Sequence, residues 1–164
     1  MYQVGQMIVY SSHGVCSIVD LVEKRIDRKN ISYYVLEPVD QPGTRYYLPS
    51  ENPVALAKSR PLCTKNDLLQ IVTEPIDEKR WIAEDNRRRQ YYRELVASAD
   101  MQAMVQMVRC LRLHRQTQLA QGKKFHMSDD NFLRDAKRIL TTEFITVLQI
   151  SGDELEQYLQ SIQI

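Results

Sequence analysis

Short apolar runs broken by turn residues occupy the first 75 positions, whereas beyond them apolar residues recur three and four apart. In the first stretch this pattern predicts strands near 6–10, 15–23, 31–38 and 44–49. The intervening turns are Ser11–Gly14, Asp27–Asn30 and Asp40-Gln41-Pro42-Gly43. The last pairs a proline that pre-sets its own φ with a glycine that tolerates positive φ. Strands this short, about ten residues apart, favour a small antiparallel barrel, an architecture that binds more often than it catalyses. Thr64-Lys65-Asn66-Asp67 then caps a short helix carrying Leu68, Leu69 and Val72.

All six prolines (38, 42, 49, 53, 61 and 75) lie within those 75 residues. Proline lacks an amide hydrogen and collides with the preceding helical turn, so only the later part of the chain is free to form long helices. Asp100 is placed to cap a helix bearing Met101, Met104, Val105, Val108 and Leu111. Ser128 is placed to cap a second, with Phe132, Leu133, Ala136, Ile139, Leu140, Phe144, Val147 and Leu148. Ser151-Gly152-Asp153-Glu154 is a capping box opening a third, with Leu155, Leu159 and Ile162. Residues 78–97 also read as helix, though with a thin apolar stripe. The fold expected is α+β in two domains: residues 1–75 form an antiparallel barrel, residues 76–164 an all-α unit.

Composition changes this picture only when it is divided. The whole chain carries a net charge of +1, with 43% hydrophobic and 26% charged residues, ordinary for a globular protein. Residues 1–78 hold 8 Lys/Arg against 10 Asp/Glu, residues 79–138 hold 14 against 7, and residues 139–164 hold none against 4. A cationic middle of this kind points to a local polyanion contact. No apolar run approaches the roughly 20 residues of a bilayer span, and the first residues lack a signal-peptide pattern, so cytoplasm is expected. Cys16, Cys63 and Cys110 are far apart and lack CxxC spacing, and His13, His114 and His126 are equally scattered. They read as buried, reduced side chains, and neither metal nor cofactor is expected. A Cys16/His13 nucleophile is conceivable, but no nucleophile elbow, P-loop or GxGxxG accompanies it, which argues against an enzyme.

The words Val4-Gly5, Val9-Tyr10, His13-Gly14, Tyr33-Tyr34-Val35-Leu36 and Leu48-Pro49 followed by Glu51-Asn52 make the first half similar to one known domain. It resembles the RNA-polymerase-interacting domain of CarD/CdnL transcription regulators, which transcription-repair coupling translocases also carry. The second half resembles the CarD helical domain at Arg87-Arg88, Ser98-Ala99-Asp100, Val108-Arg109-Cys110-Leu111 and Ala136-Lys137-Arg138-Ile139-Leu140 with Glu143. The resemblance implies a Tudor-like barrel docked on the polymerase β subunit. It also implies a helical domain on promoter DNA at the upstream fork of the bubble, a monomeric protein, and an effect on open-complex stability without catalysis. Association with the nucleoid would follow through the polymerase.

On the barrel, Arg25 and the strand Arg45-Tyr46-Tyr47-Leu48 are the candidates for polymerase contact, because an exposed sheet edge invites a partner strand. Strand alternation sends one of Tyr46 and Tyr47 inward. In the helical domain the candidates for DNA are Trp81, Arg80, Arg87, Arg88, Arg89 and Arg93, with Lys123 and Lys124. Family members drive a tryptophan into the minor groove, where an apolar wedge props open a base step. Here Ile82-Ala83-Glu84-Asp85 separate Trp81 from the arginines, about one helical turn. Trp81 is either that wedge or an anchor packed on Tyr92 or Leu95. Arg87, Arg88 and Arg89 fan over about 200° of a helix, so they either clamp phosphates or pair with Glu84, Asp85 and Glu94 on a solvated face.

Arg134, Lys137 and Arg138 read as a wet face, and Asp129 and Asp130 stand where family members carry basic residues. Arg112 and Arg115 continue the apolar stripe of their helix and Glu143 lies among apolar neighbours. A buried charge needs a partner, so Glu143 is expected to pair with Arg112 or Arg115. Two rival functions are an adaptor whose basic helices bind an acidic protein and a Tudor-like RNA binder. The acidic barrel half argues against the second.

Overall fold

A computed structural model describes residues 1–77, 80–162 and 164. Glu78 and Lys79, which open the helix expected over 78–97, lie outside the described residues. Strands β1 (Met7–Tyr10), β2 (Val15–Ile26), β3 (Lys29–Pro38), β4 (Tyr46–Pro49) and β5 (Ser59–Pro61) form one antiparallel sheet in the order β4-β3-β2-β1-β5. Helices follow as α1 (Pro53–Leu56), α2 (Lys65–Thr73), α3 (Asp85–Ser98), α4 (Met101–Ala120), α5 (Met127–Leu148) and α6 (Gly152–Ser161). The α+β arrangement expected from the apolar pattern is what the chain adopts.

The first four strands fall where alternation and turns place them. Asp27 and Arg28 both take positive φ, 49° and 64°, the two-residue turn whose twist matches a hairpin. Strand β5 escaped the sequence pattern: three residues ending in proline pair with β1, Arg60 opposite Val9. Strands β4 and β5 are the two edges, and α1, capped by the Asn52 side chain, packs against both. The core beneath the sheet is Ile8, Cys16, Ile18, Tyr34, Leu36 and Leu48, all at most 2% exposed.

Capping signals place most helix starts. Thr64 and Ser151 each form a reciprocal capping box, and the Asp100 carboxylate accepts from the Ala103 amide. Two starts differ from expectation. Helix α5 begins at Met127 with His126 as N-cap, so Ser128 lies inside the first turn. Helix α3 begins only at Asp85, because the Glu84 side chain accepts the Asn86 and Arg87 amides and ends the preceding irregular segment. The main helical core joins α2 through α6, with Leu68 and Val72 from before Pro75 packed among residues that follow it.

A seam between sheet and helices holds a fully buried acid. Glu143 of α5, with a fully buried side chain, accepts two bonds of 2.7 Å from the Arg60 guanidinium and one of 3.1 Å from the Cys63 amide. Arg60 Nε donates to the Ala99 carbonyl at 2.6 Å. The expected pairing of Glu143 with Arg112 or Arg115 is therefore incorrect. Arg115 is exposed beside Asp130 at 3.6 Å and Arg112 is half-buried, because α4 runs past the core at that level and leaves a cleft beside α5. Ala99 ends α3 with φ 59°, a conformation that costs an L-residue about 1–2 kcal/mol. Its methyl group is fully buried with Val9 and Val15, which offsets that strain. Across the seam Gly14 takes φ 75°, a conformation that favours glycine, where an added Cβ would meet Ile139 at an ordinary contact distance of 3.7 Å.

Candidate functional site

The N-terminal half of α3 carries the arginine run, and the structure divides it. Arg88 is 2% exposed. Its Nε and Nη2 bond to Asp129 of α5 at 3.0 and 2.7 Å, Nη2 also reaches Asp85 at 2.7 Å, and Nη1 donates to the Ile82 carbonyl at 2.9 Å. Asp129 is fully buried. The expectation that Arg88 faces phosphate is thus corrected. Its guanidinium is neutralised inside the protein, and these bonds hold it charged against the cost of burial. They also give a reason for the acid at position 129.

Arg87, Arg89 and Arg93 are exposed. The carboxylates expected to pair with them are engaged elsewhere: Glu84 caps α3, Asp85 binds Arg88, and Glu94 accepts from Gln90 at 3.1 Å. Arg89 donates to the Asn86 side chain, and among the described residues Arg87 and Arg93 make no ion pair. At 100° per residue Arg89 and Arg93 share one flank of α3, one turn apart, and Arg87 lies on the other. Arg80 is exposed and 3.3 Å from Asp77, and Lys123 and Lys124 are exposed in the α4–α5 loop.

Trp81 sits in the irregular segment before α3, not one turn along it. Its ring stacks on His114 of α4 with centroids 3.7 Å apart, and the Arg88 guanidinium lies 4.6 Å from it. It is half-buried against the helical core and lines a 270 Å³ hollow with Cys110, Leu113, His114 and Thr117. Its stacking partner is His114, and it packs against the core cluster that includes Tyr92 and Leu95. Burial, and secondarily the Arg88 charge, lower the His114 pKa below its usual 6.5. The unfolded chain therefore takes a proton at a higher pH than the folded one. The stability gained from neutral His114 is whole above pH 6.5 and lost as pH falls through the lowered value. His13 is lowered in the same direction, by burial and Arg138. We expect the melting temperature to fall on acidification below pH 6.5 and this slope to shrink in His114→Phe. An unchanged slope in that variant would remove His114 from the effect.

On the sheet, Arg45 and Tyr47 point outward, Tyr47 being 44% exposed with the Lys24 ammonium 3.3 Å from its ring centroid. Tyr46 is half-buried and stacks on His13 at 3.8 Å. Leu48 is fully buried in the sheet core, which corrects its expected place among contact residues. Arg25 is exposed and pairs with Asn30, while Tyr47 pairs with Val35, so alternation puts Arg25 and Tyr47 on opposite faces. Exposed Leu21 and Ile26 on the same hairpin were not singled out by alternation, because turn proximity hides which face of an overhanging hairpin is free.

Sequence reasoning also missed Arg109. It is 5% exposed and makes no ion pair among the described residues, donating instead to the carbonyls of Val72, Glu74 and Ile162. It thereby ties α2, the Pro75 segment and the chain end to α4. Burial pushes the Cys16 thiol up to about 12, leaving it protonated at neutral pH and unsuited to nucleophilic attack. No described helix is long and apolar enough to cross a membrane.

Comparison with known proteins covers both halves. Residues 2–58 match the family model for the CarD-like/TRCF RID domain, and residues 67–160 match that for the CarD C-terminal domain. No curated protein matches the chain. With both models matched in chain order and the C-terminal one alone spanning more than half its length, the chain belongs to the CarD/CdnL family of RNA-polymerase-interacting transcription factors.

Proposed function

We propose that the Tudor-like sheet half, residues 1–75, docks on the polymerase β subunit, and that the helical half, residues 76–164, presses on promoter DNA at the upstream fork of the bubble. The protein then alters open-complex stability as a monomer and without catalysis. Its place in the cell follows the polymerase on the nucleoid. One observation carries the DNA half of this reading: Glu84, Asp85 and Glu94 are each engaged elsewhere, so Arg87, Arg89 and Arg93 are exposed with no ion pair among the described residues, Arg89 being bonded only to the neutral Asn86 side chain. Arg80, Lys123 and Lys124 extend the cationic surface. Trp81 serves as a pre-set ring beside it, held by His114 and Arg88. The outer edge of β4 pairs with no described strand, and Arg45 and Tyr47 are exposed beside it, while Arg25 is exposed two strands away on β2 and on the opposite face.

The test is binding of forked promoter DNA across a salt series. Arg87→Gln with Arg93→Gln is expected to weaken binding and flatten the log–log salt slope by about 0.9 per lost phosphate contact. An unchanged slope would remove α3 from the interface. Separately, Arg45→Glu with Tyr47→Ala is expected to reduce capture of polymerase at least tenfold with the melting temperature unchanged. Full capture would move the docking surface away from the β4 edge.

A further inference from the structure

A second concave surface lies away from Trp81 and α3, where α5 passes the sheet. One stripe of α5 from Arg134 to Thr146, about 18 Å of helix, forms one wall of a groove of about 780 Å³. Met7 and Val39 form the other wall. Met7, Val39 and Ile145 are 42%, 39% and 40% exposed there. The threonines deepen the apolar character. The Thr142 and Thr146 hydroxyls donate to the Arg138 and Thr142 carbonyls, each at 2.8 Å, which occupies their donors within the helix. Asp40, the acid on this groove, is neutralised by Arg138 at 2.6 Å.

At one end the groove opens into a cationic cleft of about 410 Å³ between α4 and α5, with Arg134 and Lys137 lining both. Arg112 and Arg115 line the far side of that cleft, and its acid, Asp130, faces Arg115 at 3.6 Å. Lys137 and Arg112 have no ion pair among the described residues. The result is an apolar trench with a positive mouth.

We propose that this trench docks an acidic amphipathic helix from a protein partner, its apolar ridge on Met7, Val39 and Ile145 and its carboxylates at Lys137, Arg134 and Arg112. Charge complementarity chooses the occupant. A nucleic-acid backbone satisfies the mouth but leaves the trench wet. A neutral apolar helix fills the trench but leaves Lys137 and Arg112 without counter-charge, Arg134 having the weak neighbour Asp135 at 3.9 Å. A helix with apolar residues three and four apart and acids at one end satisfies both, the helix-in-groove mode of recognition. This surface is independent of the DNA reading, and it makes the protein a bridge with a third contact.

The test uses a dye-labelled helical peptide of about 15 residues, with Leu at three-and-four spacing and Glu clustered at one end, made in both end-to-end orders. Anisotropy on the full-length protein should show saturable binding by one order. Lys137→Glu and Ile145→Lys should each weaken it at least tenfold while forked-DNA affinity is unchanged. Thr146→Lys on the same stripe replaces Ile145→Lys should the latter fail to fold. Binding no tighter than that of a composition-matched scrambled peptide overturns the proposal. So does loss by Lys137→Glu alone, which is plain charge attraction. Competition by duplex DNA through the same two residues also overturns it, and assigns the surface to nucleic acid.

Discussion

Arg60→Ala is expected to destabilise the protein by about 3–5 kcal/mol, the cost of leaving one partner of a buried ion pair alone. Glu143 is fully buried and would keep only the Cys63 amide and thiol, while the Ala99 carbonyl would lose its donor as well. Urea unfolding should show the loss directly. Replacing both residues, Arg60→Met with Glu143→Met, should recover much of it, because two apolar side chains of similar length carry no desolvation penalty. These residues form the buried polar tie between sheet and helices, beside the more exposed contacts of Arg138 with Asp40 and the Ser12 carbonyl. The single variant should therefore unfold in two separable transitions where the native chain shows one. A loss below about 1 kcal/mol, the range of an exposed pair, would mean that Arg60, whose side chain is 25% exposed, lets water do the work of Glu143's partner.

The second large effect concerns Arg88 and Asp129. Asp129→Ala leaves a 2%-exposed guanidinium with half-exposed Asp85 and two carbonyls, and should cost about 3 kcal/mol or more. Because Trp81 is the only tryptophan and lies 4.6 Å from Arg88, its fluorescence reports the same event without a label. The emission should shift red as the ring loses its neighbour. Arg88→Gln carries the decisive contrast. Measured where it remains folded, it should keep the full salt slope for forked DNA, whereas Arg87→Gln with Arg93→Gln should not. Loss of about 0.9 in slope from Arg88→Gln, with stability intact, would return Arg88 to the phosphate-binding set.

These two ion pairs mark where reading the chain alone stops. Arg88 falls four and seven residues before Tyr92 and Leu95, so periodicity sets it apart from Arg87 and Arg89 as the arginine on the apolar face of α3. What periodicity could not supply is its partner, because Asp129 stands 41 residues away. Similarly, Glu143 announces itself as an acid among apolar positions, so the need for a partner was legible. Its identity was not, because Arg60 lies on a three-residue strand too short to show alternation, 83 residues away. Trp81 illustrates the same limit at closer range: Glu84 capping α3 moved the ring off the helix and onto His114.

What the sequence determined by itself rests on interactions reaching no further than about one turn. The confinement of proline to the first 75 residues, the two capping boxes and the alternation of β1 to β4 fixed an antiparallel sheet followed by helices, and the charge division marked residues 79–138 as the cationic segment. The tertiary structure alone decided which charges in that segment face solvent, that Leu48 is core while Tyr47 is surface, and that a trench runs between α5 and the sheet. The reason is physical. Local signals act through backbone hydrogen bonds a few residues apart, whereas the fate of a charge depends on desolvation and on partners that only folding brings within 3 Å.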